Sequence, residues 1–109
     1  MNFLTILNRK NDMGASKLAS YSQETIQLST IARALAHPAR IEIITYLKHH
    51  PTVTGIELIS LLKLSKSTVT EHVAKLKKAN LVKADYHPHC YQLSLIHENI
   101  QDLSGFIAN

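Results

Sequence analysis

Asp85-Tyr86-His87-Pro88-His89-Cys90-Tyr91 places two histidines and the chain's single cysteine within four residues. Imidazole and thiolate are ligands for zinc, nickel or copper, and a thiol can also be oxidised. His87, His89 and Cys90 are therefore candidate metal ligands, and Cys90 is a candidate redox group. Two physical arguments weigh against both uses. A tetrahedral site needs four donors, and adjacent His89 and Cys90 point to opposite faces if they lie on a strand. A lone cysteine forms only a mixed or intermolecular disulfide. The stretch is read instead as the tip of a hairpin in which His-Pro supplies the turn, with no metal or other cofactor assigned. Its imidazoles titrate near neutrality, so a pH effect on binding is expected before a metal effect.

A second group of residues carries charge. Lys63, Lys66, Lys75, Lys77, Lys78 and Lys83 stand against the single acid Glu71, so this segment alone has more positive charge than the whole chain's net +4. The remainder is about neutral, and its C-terminal part holds Asp85, Glu98 and Asp102. Charge gathered in one segment faces a polyanion, or else is the solvated side of a lysine-rich helix.

The elements that position these groups follow from spacing. Residues 1–20 mix Asn, Lys, Gly and Ser without a period and are expected to form a flexible arm, with Met13 as an alternative start. Ser20 and Gln23 have capping-box spacing ahead of Ile26, Leu28, Ile31 and Leu35, which predicts a helix ending near Ala36. Pro38 fits the first turn of the next helix, where its missing N–H is not needed. Ile41, Ile43, Ile44 and Leu47 give that helix a buried stripe, and His49-His50-Pro51 reads as its frayed end. Thr54 and Glu57 open a short third helix through Leu62. After Lys63-Leu64, Ser65 is a good N-cap, with Leu64 and Val69 placed as a hydrophobic staple. Val69, Val73 and Leu76 carry the fourth helix to Asn80, a residue suited to the left-handed conformation at a helix C-terminus. Two short helices joined by so tight a turn make a helix-turn-helix. The period then changes. Leu81–Tyr86 and Tyr91–Leu95 read as strands joined by the four residues 87–90, and a last helix is expected over Glu98–Ile107. The expected fold is mainly α with a small β-hairpin: a winged helix-turn-helix of about five helices and a two-stranded wing, with residues 21–109 as the folded domain.

On the fourth helix, at about 100° per residue, Val73 and Leu76 lie within about 40° of Val69. Ser67, Glu71, Ala74 and Lys78 fall on the opposite side, flanked by Thr70 and Lys75. The outward face is small and polar at its N-terminal end and basic at its C-terminal end, as suits a helix that meets base edges with one half and phosphates with the other. Ser67 and Thr70 can bond bases or phosphates. Glu71 either accepts from cytosine N4 or pairs with Lys75 at i,i+4. His72, at the edge of the buried side, is either a packing residue or a phosphate contact.

Composition limits the remaining classes. One hundred and nine residues with 45% hydrophobic and 18% charged content make one globular domain with a modest core. One cysteine excludes an internal disulfide and suits a reducing cytoplasm. The apolar run at residues 3–7 is too short for a secretory signal and its positive charges follow it, so a soluble cytoplasmic protein with no membrane partner is expected. No glycine-rich phosphate loop is present, and histidines alone do not make a nucleophile–base pair, so an enzyme is not expected.

Three separated blocks occur in order: Ala34-Leu35-Ala36-His37-Pro38-Ala39-Arg40-Ile41-Glu42-Ile43-Ile44, then Leu64-Ser65-Lys66-Ser67-Thr68-Val69-Thr70-Glu71-His72-Val73, then Ala79-Asn80-Leu81-Val82. Together they resemble ArsR-type winged-helix repressors over roughly residues 25–95. The resemblance implies a homodimeric repressor of transcription that binds a two-fold operator in double-stranded DNA, with Ser67, Thr68, Thr70 and His72 at recognition-helix positions. The basic segment, the outward helix face and the wing tip add Lys63, Lys66, Glu71, Lys75, Lys78, His87 and His89 to the expected DNA-facing surface. Ile26, Leu28 and Ile31 of the first helix and Ile100, Leu103, Phe106 and Ile107 of the last would form the dimer interface. Such pairing is also reasonable physically, since two weakly amphipathic end helices have little core to bury against in so small a domain. The cysteine pair that some relatives carry at the start of the first motif helix is replaced here by Thr54-Gly55-Ile56. On the last helix His97, Glu98 and Asp102 lack the spacing of the family's other metal site. The inducer is not legible. A winged-helix module for protein association and a metal- or redox-responsive repressor using His87–Cys90 remain as alternatives.

Overall fold

The computed structural model describes residues 20–108. Most of the expected arm, with Met13, lies outside the described residues. Five helices and three short strands follow in the order α1 (Gln23–Ala34), α2 (Pro38–His49), β1 (Val53–Thr54), α3 (Gly55–Leu62), α4 (Lys66–Lys78), β2 (Val82–His87), β3 (Cys90–Leu95) and α5 (His97–Ala108).

Helix ends are set by side-chain caps, which satisfy backbone N–H groups that have no partner within the helix. Ser65 Oγ accepts from the Thr68 amide (3.2 Å), and Thr54 Oγ1 accepts from the Glu57 amide (3.1 Å). Thr54 Oγ1 also bonds Glu57 Oε1 (3.1 Å). The cap of α1 falls two residues later than expected, on Ser22, whose Oγ takes the Thr25 amide (3.1 Å). That placement puts Glu24 in the positive first turn of the helix. Pro38 is the first residue of α2, and the extended backbone of His37 (φ −150°, ψ 131°) is the conformation a following proline favours. α1 therefore stops at Ala34, two residues short of the expected end.

Among the described residues, two non-glycine residues take positive φ. Lys63 (55°) turns the chain between α3 and α4, and Asn80 (58°) closes α4. At Asn80 the amide of Leu81 reaches the Leu76 carbonyl (3.1 Å) and that of Asn80 reaches Lys77 (2.9 Å), the paired bonds of a Schellman end.

The sheet has three strands, not the expected two, in the antiparallel order β1-β3-β2. β1 is too short to show a period, but it pairs Val53 with Leu93 and Thr54 with Gln92. The β2–β3 hairpin runs from Val82↔Leu95 to His87↔Cys90, so its loop is Pro88-His89 alone, not the four residues expected. Val53 and Leu93 bring the sheet base into the core with Ile31, Ile43, Leu58, Val69, Leu76 and Leu81, all almost fully buried. Each such side chain contributes about 1.5–3 kcal/mol.

The end helices behave unequally. Ile31, expected at a dimer interface, is wholly inside this chain's own core, while Ile26 and Leu28 are half-buried. Ile100 and Leu103 pack partly against the core. Phe106 (64% exposed) and Ile107 (73%) are left open by the described residues. Asn99 ties the start of α5 down, donating to the Asn80 carbonyl and accepting from Gln27 Nε2 (3.3 Å).

Candidate nucleic-acid interface

α4 presents its outward face because its inward face is spent on Val69, Val73 and Leu76. Lys66, Ser67, Thr70, Glu71, Lys75 and Lys78 are all exposed along its length, and Lys63 is exposed on the turn before it. Thr70 Oγ1 donates to the Lys66 carbonyl (2.8 Å), which leaves its lone pairs outward as acceptors. Thr68 is part of the cap, since its hydroxyl accepts from Ser65 Oγ (2.9 Å) and it is only half-exposed. Ser67 joins the same group through Ser65 Oγ (3.2 Å). Glu71 forms no ion pair with Lys75, so its carboxylate is free to act as an acceptor.

His72 is not on this face. It is 8% exposed, and its Nδ1 accepts from Arg40 Nε (3.3 Å), thirty-two residues earlier. Its ring lies 4.4 Å from that of His37, tilted by 49°. Burial first, then the neighbouring His37 and the Arg40 guanidinium, lower its pKa below the ordinary histidine value, with Glu71 acting the other way. A residue so placed supports the helix and does not reach phosphate.

The hairpin stands beside α4. Lys77 Nζ donates to the Tyr86 hydroxyl and lies over the Tyr86 ring, 4.9 Å from its centroid. Tyr86 is tilted against Tyr91 at 6.0 Å. Tyr91 in turn sits on Gly55: a Cβ there would come within 2.6 Å of its ring. Burial and the neighbouring Tyr86 raise the Tyr91 pKa, opposed by Lys77. This seam couples helix, wing and the start of α3. Two of its tyrosines stand in strand runs where β-forming propensity already accounts for them, so nothing in their spacing singled them out. Above the seam, a groove of about 350 Å³ separates α3 from the hairpin. Ile56, Ile59 and Val69 line it, with Lys66 and His89 among its polar residues.

At the hairpin tip His87, His89 and Cys90 are all exposed. His87 Nε2 lies 3.5 Å from Asp85 Oδ2, two residues back on the same strand face. Among the described residues no three His, Cys, Asp or Glu side chains gather closely enough to hold a metal ion. Neither central residue of the turn has positive φ, so Pro88-His89 is not one of the primed turns common in two-residue hairpins.

A helix docked by one face, a tight turn to the helix before it and a hairpin braced alongside form a helix-turn-helix with a wing. A family model described as "Helix-turn-helix domain" matches residues 35–84. An ArsR family transcriptional regulator of known structure superposes with a TM-score of 0.72 at 19% identity, covering 81% of this chain and 90% of that one. The chain has the winged helix-turn-helix fold of that regulator. The same fold is found in HlyU from Vibrio cholerae (TM-score 0.66, 21% identity, 75% of this chain and 90% of that one). NolR from Sinorhizobium fredii is similar too (TM-score 0.65, 22% identity, 79% and 85%). In sequence, the chain is 34% identical over 47 residues to the transcriptional repressor PagR of Bacillus anthracis. That match spans 43% of this chain and about half (48%) of PagR. No helix among the described residues is long and apolar enough to cross a membrane.

Proposed function

We propose that this protein is a DNA-binding transcriptional regulator, a repressor that binds a two-fold operator as a homodimer and performs no catalysis. The carrying observation is the outward face of α4. Acceptors and a small polar surface lie at Ser67, Thr70 and Glu71, and lysines follow at 75 and 78, on a helix whose other side is locked into the core. The polar end suits base edges in a major groove and the basic end suits phosphates. The wing, with His87 and His89 exposed at its tip, extends the same surface. Phe106 and Ile107 offer the second copy an apolar face, which would place two α4 helices about 34 Å apart on successive grooves. The repressor sense follows from the likeness to PagR and from the position of α4, since a protein seated in an operator blocks access to it.

Duplex fragments selected from genomic DNA by the purified protein, titrated by fluorescence anisotropy, test this reading. Affinity should fall steeply with salt, with a log–log slope of about −0.9 per phosphate contacted. Ser67→Ala with Thr70→Ala should relax sequence preference, at about 1–3 kcal/mol per lost base contact. Lys78→Ala should weaken all sequences alike. Absence of binding at low salt would leave a protein-association module as the remaining reading.

A further inference from the structure

His72 is the one buried polar or charged residue among those described, and the groups on its α2 side are cationic or can become so. Arg40 Nε donates to its Nδ1 (3.3 Å), while Arg40 Nη1 donates to the Ala34 carbonyl at the end of α1 (3.1 Å). His37 lies ring to ring with it, and the Nδ1 of His37 is itself occupied, accepting from the Ala39 amide (3.0 Å) as the cap of α2. From its own helix, Glu71 is the one acid that acts on His72. α3 and β2, which also pack on α4, add no charged group to that set. These bonds assign the tautomers. A ring nitrogen that accepts carries no proton, so both rings hold theirs on Nε2 and both are neutral in this arrangement.

We propose that His72 is a positioning residue whose neutral ring clasps the DNA-facing helix α4 to α2, so that proton uptake opens the clasp and weakens DNA binding. The consequence for DNA rests on the function proposed above. A proton arriving at Nδ1 turns the acceptor into a donor that faces the Arg40 N–H, and it sets a second positive charge beside the guanidinium. The bond is lost and the pair repels. His72 lies midway along α4, between Val69 and Leu76, so the strain falls on the helix that carries Ser67, Thr70 and the lysines. Burial, the neighbouring His37 and the Arg40 guanidinium all lower its pKa, so the clasp is closed at neutral pH and opens on acidification. The exposed wing histidines have the opposite sign: protonated His87 and His89 add positive charge toward a polyanion and strengthen binding.

The test separates these effects by working in a His87→Gln, His89→Gln background and adding His72→Asn, whose side-chain oxygen keeps an acceptor near the place of Nδ1 without titrating. Operator affinity is measured at about pH 7.5 and about pH 5.5 at fixed ionic strength. The background protein should bind severalfold more weakly at the lower pH, and adding His72→Asn should remove most of that loss. An unchanged pH dependence after His72→Asn overturns the proposal. NMR of the DNA-free full-length protein gives a second reading. The His72 ring should be the Nε2–H tautomer, should titrate below an ordinary histidine, and its protonation should accelerate amide exchange in α4. Arg40→Gln, which removes the cation, should move that titration to higher pH, and serves if the asparagine variant does not fold. Titration at or above the ordinary value, or α4 exchange indifferent to it, overturns the clasp. If no DNA is bound even at pH 7.5, the function proposed above fails and takes the DNA consequence with it, while the NMR result alone decides the clasp.

Discussion

α4 and α5 are of nearly equal length, thirteen and twelve residues, yet the chain treats them differently. α4 buries Val69, His72, Val73 and Leu76 and is braced on three sides: by Arg40 from α2, by α3 across the Lys63 turn, and by the wing through Lys77 and Tyr86. α5 buries no residue fully, and it leaves Phe106 and Ile107 open. One helix has its orientation fixed by its own chain. The other has apolar surface that the described residues leave open. Under the function proposed above, a helix that meets a groove in register has to be rigid before it binds, whereas a helix that pairs with another copy need only be held at its start, as Asn99 holds α5.

The largest break in that contrast comes from the core. Leu76 is fully buried, so Leu76→Ala should cost about 2–5 kcal/mol in chemical denaturation. Ile107→Ala, at an exposed position, should stay within about 0.5 kcal/mol for the isolated chain. Equal losses at the two sites would erase the distinction. The α5 side is sharpened by association: Phe106→Glu with Ile107→Glu should shift sedimentation toward a single chain while leaving the far-ultraviolet spectrum intact. Sedimentation unchanged by the charges would remove α5 from the dimer interface.

Next in size is the brace between wing and α3. Gly55 is needed because its missing side chain is where the Tyr91 ring lies, not because of its backbone angle. Gly55→Ala must displace that ring and should cost about 1–3 kcal/mol by overpacking. Pairing it with Tyr91→Ala should recover part of the loss. If the double variant loses the two single effects in full, the contact is not what Gly55 serves.

How far the sequence foretold this depends on how local each cause is. Thr54, Ser65, Pro38 and Asn80 act within a few residues of themselves, and all four stand where their spacing placed them. Ser20 failed against Ser22 because both satisfy a local rule and only the following turn decides between them. β1 was invisible: two residues have no period, and its partner lies about forty residues on. Ile31 and Ile107 share one apolar character, and periodicity cannot say which is buried in the core and which lies open. The outward set on α4 was legible because helical angle alone separates it from Val69. The support behind it was not, because Arg40 meets His72, and Lys77 meets Tyr86, only once the chain has folded.

The gentlest disturbance of the wing brace is a proton. Tyr91 has its pKa raised in the folded chain, by burial first and by Tyr86 second, against the pull of Lys77. The native state therefore keeps this proton to higher pH than the unfolded state, whose tyrosine titrates at about 10. The stabilisation from this group is complete below that value. It is lost as pH rises through the native value, since the unfolded chain gives up its proton first. Because the ring is only partly buried, the effect should be small, visible as a slope and not as a collapse. Urea midpoints measured from about pH 9 to pH 11 should fall faster for the wild type than for Tyr91→Phe, which keeps the ring on Gly55 and cannot ionise. A parallel fall in both would mean that the hydroxyl is solvated in the native state. The wing would then be held by the ring contact with Gly55 and by Lys77 on Tyr86, with no contribution from the protonation state of Tyr91.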